Sequence, residues 1–227
     1  MHNFFLFFVL AHLLGDFVFQ TDKIAQLKAE GVKGVALHSV VITVAQVALM
    51  AVFGSSGIYA ALLCGLLHFF IDCLKLTANR HIRWQTPYFI FDQLVHFGLL
   101  WGLTLAFFSK DISGTNGLLY VKTGISLILA TYVSSVFSKI LVRDLFAGLR
   151  SEPFFKSYER VLDMFFGISI FVAFLLPFPA LIIILIISII LYFVLHIRSF
   201  QYPMLVAFSK LFIISVFAYI SSIIMNI

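Results

Sequence analysis

Eight stretches of mostly apolar residues follow one another along the chain, at approximately 3–20, 35–53, 58–76, 88–108, 118–140, 161–176, 180–197 and 204–226. Helices of about 20 residues cross a hydrocarbon layer of about 30 Å, and inside such a layer a backbone satisfies its own polar groups only as a helix or a closed barrel. The pattern predicts an all-α polytopic membrane protein with about eight transmembrane helices and short loops. The sixth stretch is short and ends at Leu176-Pro177-Phe178-Pro179, so a re-entrant pair formed by spans six and seven, leaving six or seven crossings, is the alternative. Composition agrees: 62% of the 227 residues are hydrophobic and 11% charged, against about 45–50% and about 25% in soluble domains. A water-soluble fold is excluded, and two cysteines in one apolar run, Cys64 and Cys73, make no disulfide framework.

The 15 Lys and Arg residues lie mostly in the short connections, which makes them topology signals rather than a nucleic-acid surface. They alternate. Lys23, Lys28 and Lys33 follow span one, Arg80 and Arg83 follow span three, Arg143, Arg150, Lys156 and Arg160 follow span five, and Arg198 follows span seven, whereas the even-numbered connections hold Lys110 alone with Lys122 just beyond it. The positive-inside rule places the odd connections in the cytoplasm and both termini outside. The first run is read as a retained span, because it lacks a preceding Lys or Arg and carries His12, Asp16 and Gln20. Residues 21–34 and 142–160 mix charge with apolar side chains and read as interfacial amphipathic segments. Gly54-Ser55-Ser56-Gly57 reads as a tight turn. A four-helix unit over 1–110 and a second unit over 111–227 complete the expected organisation.

Ionisable groups within spans are costly, and here they cluster. Span one carries His12 and Asp16, span two His38, span three His68, Asp72 and Lys75, and span four Asp92, Gln93 and His96. Each His–Asp pair is four residues apart and so shares a helical face. With the spans oriented as above, Asp16, Asp72 and Asp92 fall about 6 Å inside the cytoplasmic boundary and His12, His68 and His96 about 12 Å inside, with His38 near the Asp layer. Three carboxylates and four imidazoles at one level suit a divalent ion such as zinc, manganese or iron, one or two in number. The expected ligands are His12, Asp16, His38, His68, Asp72, Asp92 and His96, with Asp16, Asp72 and Asp92 as the catalytic carboxylates. Gln20, Lys75, Arg80, Arg83 and Gln93 are substrate-binding candidates at the edge. Glu159 with Arg160 reads as an interface pair, and His196 and Lys210 as anchoring residues.

The run Leu10-Ala11-His12-Leu13-Leu14-Gly15-Asp16-Phe17-Val18-Phe19-Gln20-Thr21-Asp22, with Lys28, Leu37-His38, His68-Phe69-Phe70-Ile71-Asp72 and Lys75, and Phe91-Asp92-Gln93-Leu94-Val95-His96, resembles the bacterial membrane proteins of domain-of-unknown-function family 3307 over about residues 3–108. Tyr158-Glu159-Arg160 is similar to a Leu-Glu-Arg element of longer members, with Tyr in place of Leu. The resemblance implies an integral protein of the bacterial inner membrane and no particular activity. A looser likeness to membrane-bound metal-dependent hydrolases is an analogy without a contiguous motif.

Three functions fit these residues. The first is a metal-dependent hydrolase acting on a lipid-borne ester or phosphoester, with membrane lipids as its partners. The second is a transporter that carries protons or metal ions along the His/Asp set. The third is a scaffold or sensor in which the cluster only holds helices together.

Overall fold

The structure, a computed structural model, describes residues 2–78, 84–108, 117–146, 154, 158–200 and 204–226. Every regular element among them is helical: α1 (His2–Leu13), a π-helical stretch Leu14–Val18, α2 (Asp22–Glu30), α3 (Val32–Met50), a 3-10 turn Ala51–Phe53, α4 (Gly54–Ala78), α5 (Gln85–Phe107), α6 (Leu118–Ile128), a second π-helical stretch Leu129–Val133, α7 (Ser134–Leu145), α8 (Glu159–Phe174), α9 (Phe178–Phe200) and α10 (Met204–Asn226). All eight apolar windows contain a helix. Two compact units divide the chain, Met1–Val121 and Lys122–Ile227.

Among the described residues, five helical stretches are long and apolar enough to cross a membrane: Val32–Thr77, Gln85–Phe107, Leu118–Leu145, Phe178–His196 and Met204–Asn226. A sixth is added if Asn3–Val18 and Asp22–Glu30, which meet at 88°, form one broken span. The stretch Val32–Thr77 doubles back. His38 meets His68, Thr43 meets Gly65 and Gln46 meets Cys64, so partners ascend on α3 as they descend on α4. The reversal falls at Ala51–Phe53 and Gly54, whose φ of 73° a side chain would resist. Ser55, Ser56 and Gly57, expected in the turn, belong instead to the first turn of α4. α8 has 16 residues, about 24 Å of helix, and is joined to the 23-residue α9 through Leu175-Leu176-Pro177.

In the first unit, α1 packs on α3 and α5, and α4 packs on the same two helices, which closes a four-helix ring. Its surface is apolar and its interior polar at one level: Leu62, Leu66, Phe70 and Leu74 form an exposed stripe on α4, while His68 and Asp72 turn inward. Such an inverted distribution suits a hydrocarbon solvent. Gly15 and Gly65 permit the close contact of α3 with the π-helical stretch and with α4, since a Cβ on Gly15 would lie 2.6 Å from Ile42 Cγ1 and one on Gly65 would strike Thr43. Rings close the end away from the polar level, with Phe4 and Phe108 stacked at 4.0 Å and Phe53 edge-on to Phe4 at 4.6 Å.

The second unit packs α10 against α7, α8 and α9 around Ala130, Phe166, Ile170, Tyr192, Leu211 and Ile214. It corrects the sequence reading of its charged residues. Lys210 and His196 are fully buried rather than anchoring at an interface. Lys210 Nζ lies 2.8 Å from Glu159 Oε1 and 2.6 Å from Asp163 Oδ2, and Lys139 Nζ reaches Glu159 at 3.0 Å. Tyr192 Oη donates to Asp163 Oδ1 at 3.4 Å. The Arg160 guanidinium lies 5.2 Å from the centre of the Tyr132 ring. The segment 142–160, expected to be amphipathic, continues α7 to Leu145, and most of the remainder lies outside the described residues.

Candidate metal centre

Five elements deliver the polar level of the first unit. α1 supplies His12, the π-helical stretch Asp16, α3 His38, α4 His68, Asp72 and Lys75, and α5 Asp92 and His96. A π-helical turn adds a residue to the local pitch and commonly marks a functional position. Here it carries Asp16 next to Gly15, whose contact with Ile42 sets how near the carboxylate comes to α3. α2 begins at a Thr21 cap, whose hydroxyl accepts from the Ile24 N–H at 3.3 Å, and its last turn brings in Lys28.

All four imidazoles are at most 1% exposed. His38 Nε2 lies 2.9 Å from Asp16 Oδ1, 3.6 Å from Asp72 Oδ2 and 3.4 Å from His68 Nε2. His68 Nε2 in turn lies 3.2 Å from Asp72 Oδ2 and 3.9 Å from Asp16 Oδ1. His12 Nε2 is 3.3 Å from the other oxygen of Asp16. The rings of His12 and His96 stack at 5.1 Å, and those of His68 and His96 approach to 4.3 Å. Asp16, His38 and His68 thus offer three ligand atoms within 4.8 Å of one another, as do His68, Asp72 and His96.

His96 shows how a ring is prepared. Its Nδ1 lies 2.8 Å from the Asp92 carbonyl oxygen, which only accepts, so Nδ1 carries a proton and, in the neutral ring, Nε2 keeps its lone pair. That Nε2 is buried with no hydrogen-bond partner in the structure, the orientation that backbone carbonyls impose on metal-binding imidazoles.

Two ammoniums complete the centre. Lys75 Nζ bridges Asp72 Oδ1 at 3.0 Å and Asp92 Oδ1 at 2.7 Å, and Lys28 Nζ meets Asp72 Oδ2 at 2.6 Å. Three carboxylates against two ammoniums leave one negative charge with the imidazoles neutral. Burying an uncompensated charge is expensive, so the donor set has both the ligands and the electrostatic demand for a cation.

The seven residues expected as ligands therefore converge, together with Lys75. Gln93 sits at the edge and donates to Asp92 Oδ2 at 3.3 Å. Gln20 lies two residues beyond the π-helical stretch with its Oε1 buried and no hydrogen-bond partner, and no contact joins it to the centre among the described residues. Arg80 and Arg83 lie outside the described residues. Sequence reasoning left Lys28 as a topology charge. Its spacing from Asp72 carries no helical signal, and only the bend before α2 brings it in.

A family model described as a protein of unknown function (DUF3307) matches residues 4–120, slightly more than half of the chain. The chain belongs to the DUF3307 family. The DUF3307 match takes in every residue of the centre, from His12 to His96, and stops short of the charged network of the second unit. None of the curated proteins and none of the solved structures matches the chain.

Proposed function

We propose that this DUF3307 protein is a membrane hydrolase whose His/Asp centre binds a divalent metal ion, zinc, manganese or iron, and cleaves a lipid-borne ester or phosphoester. One observation carries the reading. Asp16, His38 and His68 offer three ligand atoms within 4.8 Å of one another, as do His68, Asp72 and His96, and His38 Nε2 and His68 Nε2 lie 2.9 to 3.9 Å from each other, from Asp16 Oδ1 and from Asp72 Oδ2. Ligands about 2.0–2.1 Å from a tetrahedral ion stand about 3.3–3.4 Å apart, and these separations bracket that edge.

A bound divalent ion would lower the pKa of a coordinated water toward 7 and polarise an ester oxygen. The chain's own groups supply the rest. Asp92, 3.2 Å from His96 Nδ1 and held by Lys75, is placed to orient that ring and to take a proton. The balance is simple: one water is consumed, one ester bond breaks, and an acid and an alcohol leave.

In this reading the chain crosses the bacterial inner membrane about eight times, with α8 as a short crossing and both termini outside. The centre then lies in the cytoplasmic leaflet near lipid head groups. The distribution of Lys and Arg over the connections supports that orientation. Metal analysis of protein purified in neutral detergent without chelators tests the proposal: about one equivalent of divalent metal supports it, and a metal-free, fully folded protein sinks it.

A second reading, ion or proton transport, has one observation in its favour. On α3, Ser39 Oγ and Gln46 Oε1 are buried without hydrogen-bond partners, extending polarity from His38 toward the far end of the helix. Phe8, Ile42 and Leu100, all buried, and the Phe4–Phe53–Phe108 rings stand on the same stretch of the unit, which favours the hydrolase.

A further inference from the structure

We propose that the exposed edge of the centre binds the phosphate group of a phosphodiester monoanion, with Lys28 and Lys75 as its donors. The inference rests on the metal reading and narrows its substrate from esters in general to one charge class.

Exposure points to the edge. The side chains of Lys28 and Lys75 are 20% and 23% exposed, whereas those of Asp72 and His38 are closed to solvent. Both ammoniums hold the same Asp72 carboxylate, one at each oxygen, so a single oxyanion spans them. An ammonium has three N–H donors. Lys28 uses one on Asp72, and Lys75 uses two, on Asp72 and Asp92. Among the described residues, three donors are left where the site meets its surroundings, which suits an oxyanion with two non-bridging oxygens rather than a neutral ester carbonyl.

Charge decides which oxyanion. Without metal the centre carries a net charge of minus one and repels an anion. A divalent ion makes it plus one. In a low-dielectric setting the complex closest to neutrality is favoured, so a phosphodiester monoanion fits and a phosphomonoester dianion restores the unfavourable minus one. A carboxylate has the right charge, but it lacks the tetrahedral spread of oxygens and the ester bond that the centre would cleave. Anion and metal must then bind with positive coupling, and linkage makes that coupling reciprocal.

The test is a titration of Zn²⁺ into the full-length protein in neutral detergent. It is run alone and with dibutyl phosphate, phenyl phosphate, laurate, or micelles containing phosphatidylglycerol. The expected result is that dibutyl phosphate or phosphatidylglycerol tightens Zn²⁺ binding about tenfold or more, a coupling of ordinary size, while phenyl phosphate and laurate change it less than threefold. An effect of phosphatidylglycerol alone assigns the group to a lipid head group; equal effects assign recognition to the phosphate itself. Both Lys28→Met and Lys75→Met should still bind Zn²⁺ but lose the tightening, and Lys28→Arg should retain it. Zn²⁺ affinity that ignores every anion, or tightening that survives in both Met variants, overturns the inference while leaving the metal reading intact. Absence of saturable binding of Zn²⁺, Mn²⁺ and Fe²⁺ alike in the folded wild type overturns both.

Discussion

His38 and His68 face each other nitrogen to nitrogen, Nε2 to Nε2, at 3.4 Å. Two lone pairs repel at that distance and two N–H groups do so more strongly, so the pair needs one proton or one cation between them. Asp16 and Asp72 flank the same gap. Replacing His38 or His68 with Gln should therefore remove bound metal, as should Asp16→Asn and Asp72→Asn, with the helices still formed. Asp92→Asn differs. It touches His96 and Lys75 and belongs to neither three-ligand group, and loss of a carboxylate that orients a ligand ring such as His96 typically weakens metal affinity about 10–100-fold. Metal content and affinity for the five variants, measured beside circular dichroism, check this order; equal effects of Asp92→Asn and Asp72→Asn would remove the ranking.

Gly15→Ala is expected to move Asp16. The added Cβ would stand 2.6 Å from Ile42 Cγ1 and 3.0 Å from its Cα, so the π-helical stretch must shift away from α3. Overpacking of this kind costs about 1–3 kcal/mol. Thermal unfolding in detergent and metal affinity should both fall, and Ile42→Ala in the same chain should restore part of each by clearing the side-chain clash. A double variant no better than Gly15→Ala would place the strain elsewhere.

The helices were legible because a bilayer leaves few options for a 20-residue apolar run, and the gathering of the His and Asp side chains because i, i+4 spacing pairs them on one face of α4, of α5 and of α1 with the π-helical stretch that follows it. The geometry adds what periodicity cannot carry. The π-helical turn at Leu14–Val18 departs from the 3.6-residue repeat, so Gly15 reads as an ordinary helix residue until its contact with Ile42 is seen. Lys28 reaches Asp72 across a bend, with no spacing rule to announce it. Three equal-looking carboxylates separate into two beside His38 and His68 and one behind His96. In the second unit the signal was present but misread: Lys139, Lys210 and Asp163 stand in apolar stretches, and opposite charges there call for one another as partners rather than for an interface.

Orientation is checked from outside the centre. Reporters fused after Lys28, Arg83 and Arg150 should report cytoplasm, and reporters after Phe53 and Gly114 the outer side, because Lys and Arg partition between those two sets of connections. Phe53 is the better position than Gly57, which lies inside α4. A cytoplasmic signal at Phe53 would move the His/Asp centre to the outer leaflet.

Glu159 makes the sharpest stability prediction. Its carboxylate is fully buried and takes ammoniums from two helices, Lys139 of α7 at 3.0 Å and Lys210 of α10 at 2.8 Å. Glu159→Gln leaves two buried ammoniums with one carboxylate, Asp163, between them, and breaking a buried pair from one side costs about 3–5 kcal/mol. Lys210 keeps Asp163 at 2.6 Å, and Lys139→Met combined with Glu159→Met should recover much of the stability by removing both charges together. Metal content per folded molecule should stay at the wild-type level, since the His/Asp centre is built wholly within Met1–Val121. Thermal unfolding of the two variants in detergent, read beside metal content, decides it: a Glu159→Gln protein as stable as wild type would mean that the network contributes nothing to the fold of the second unit.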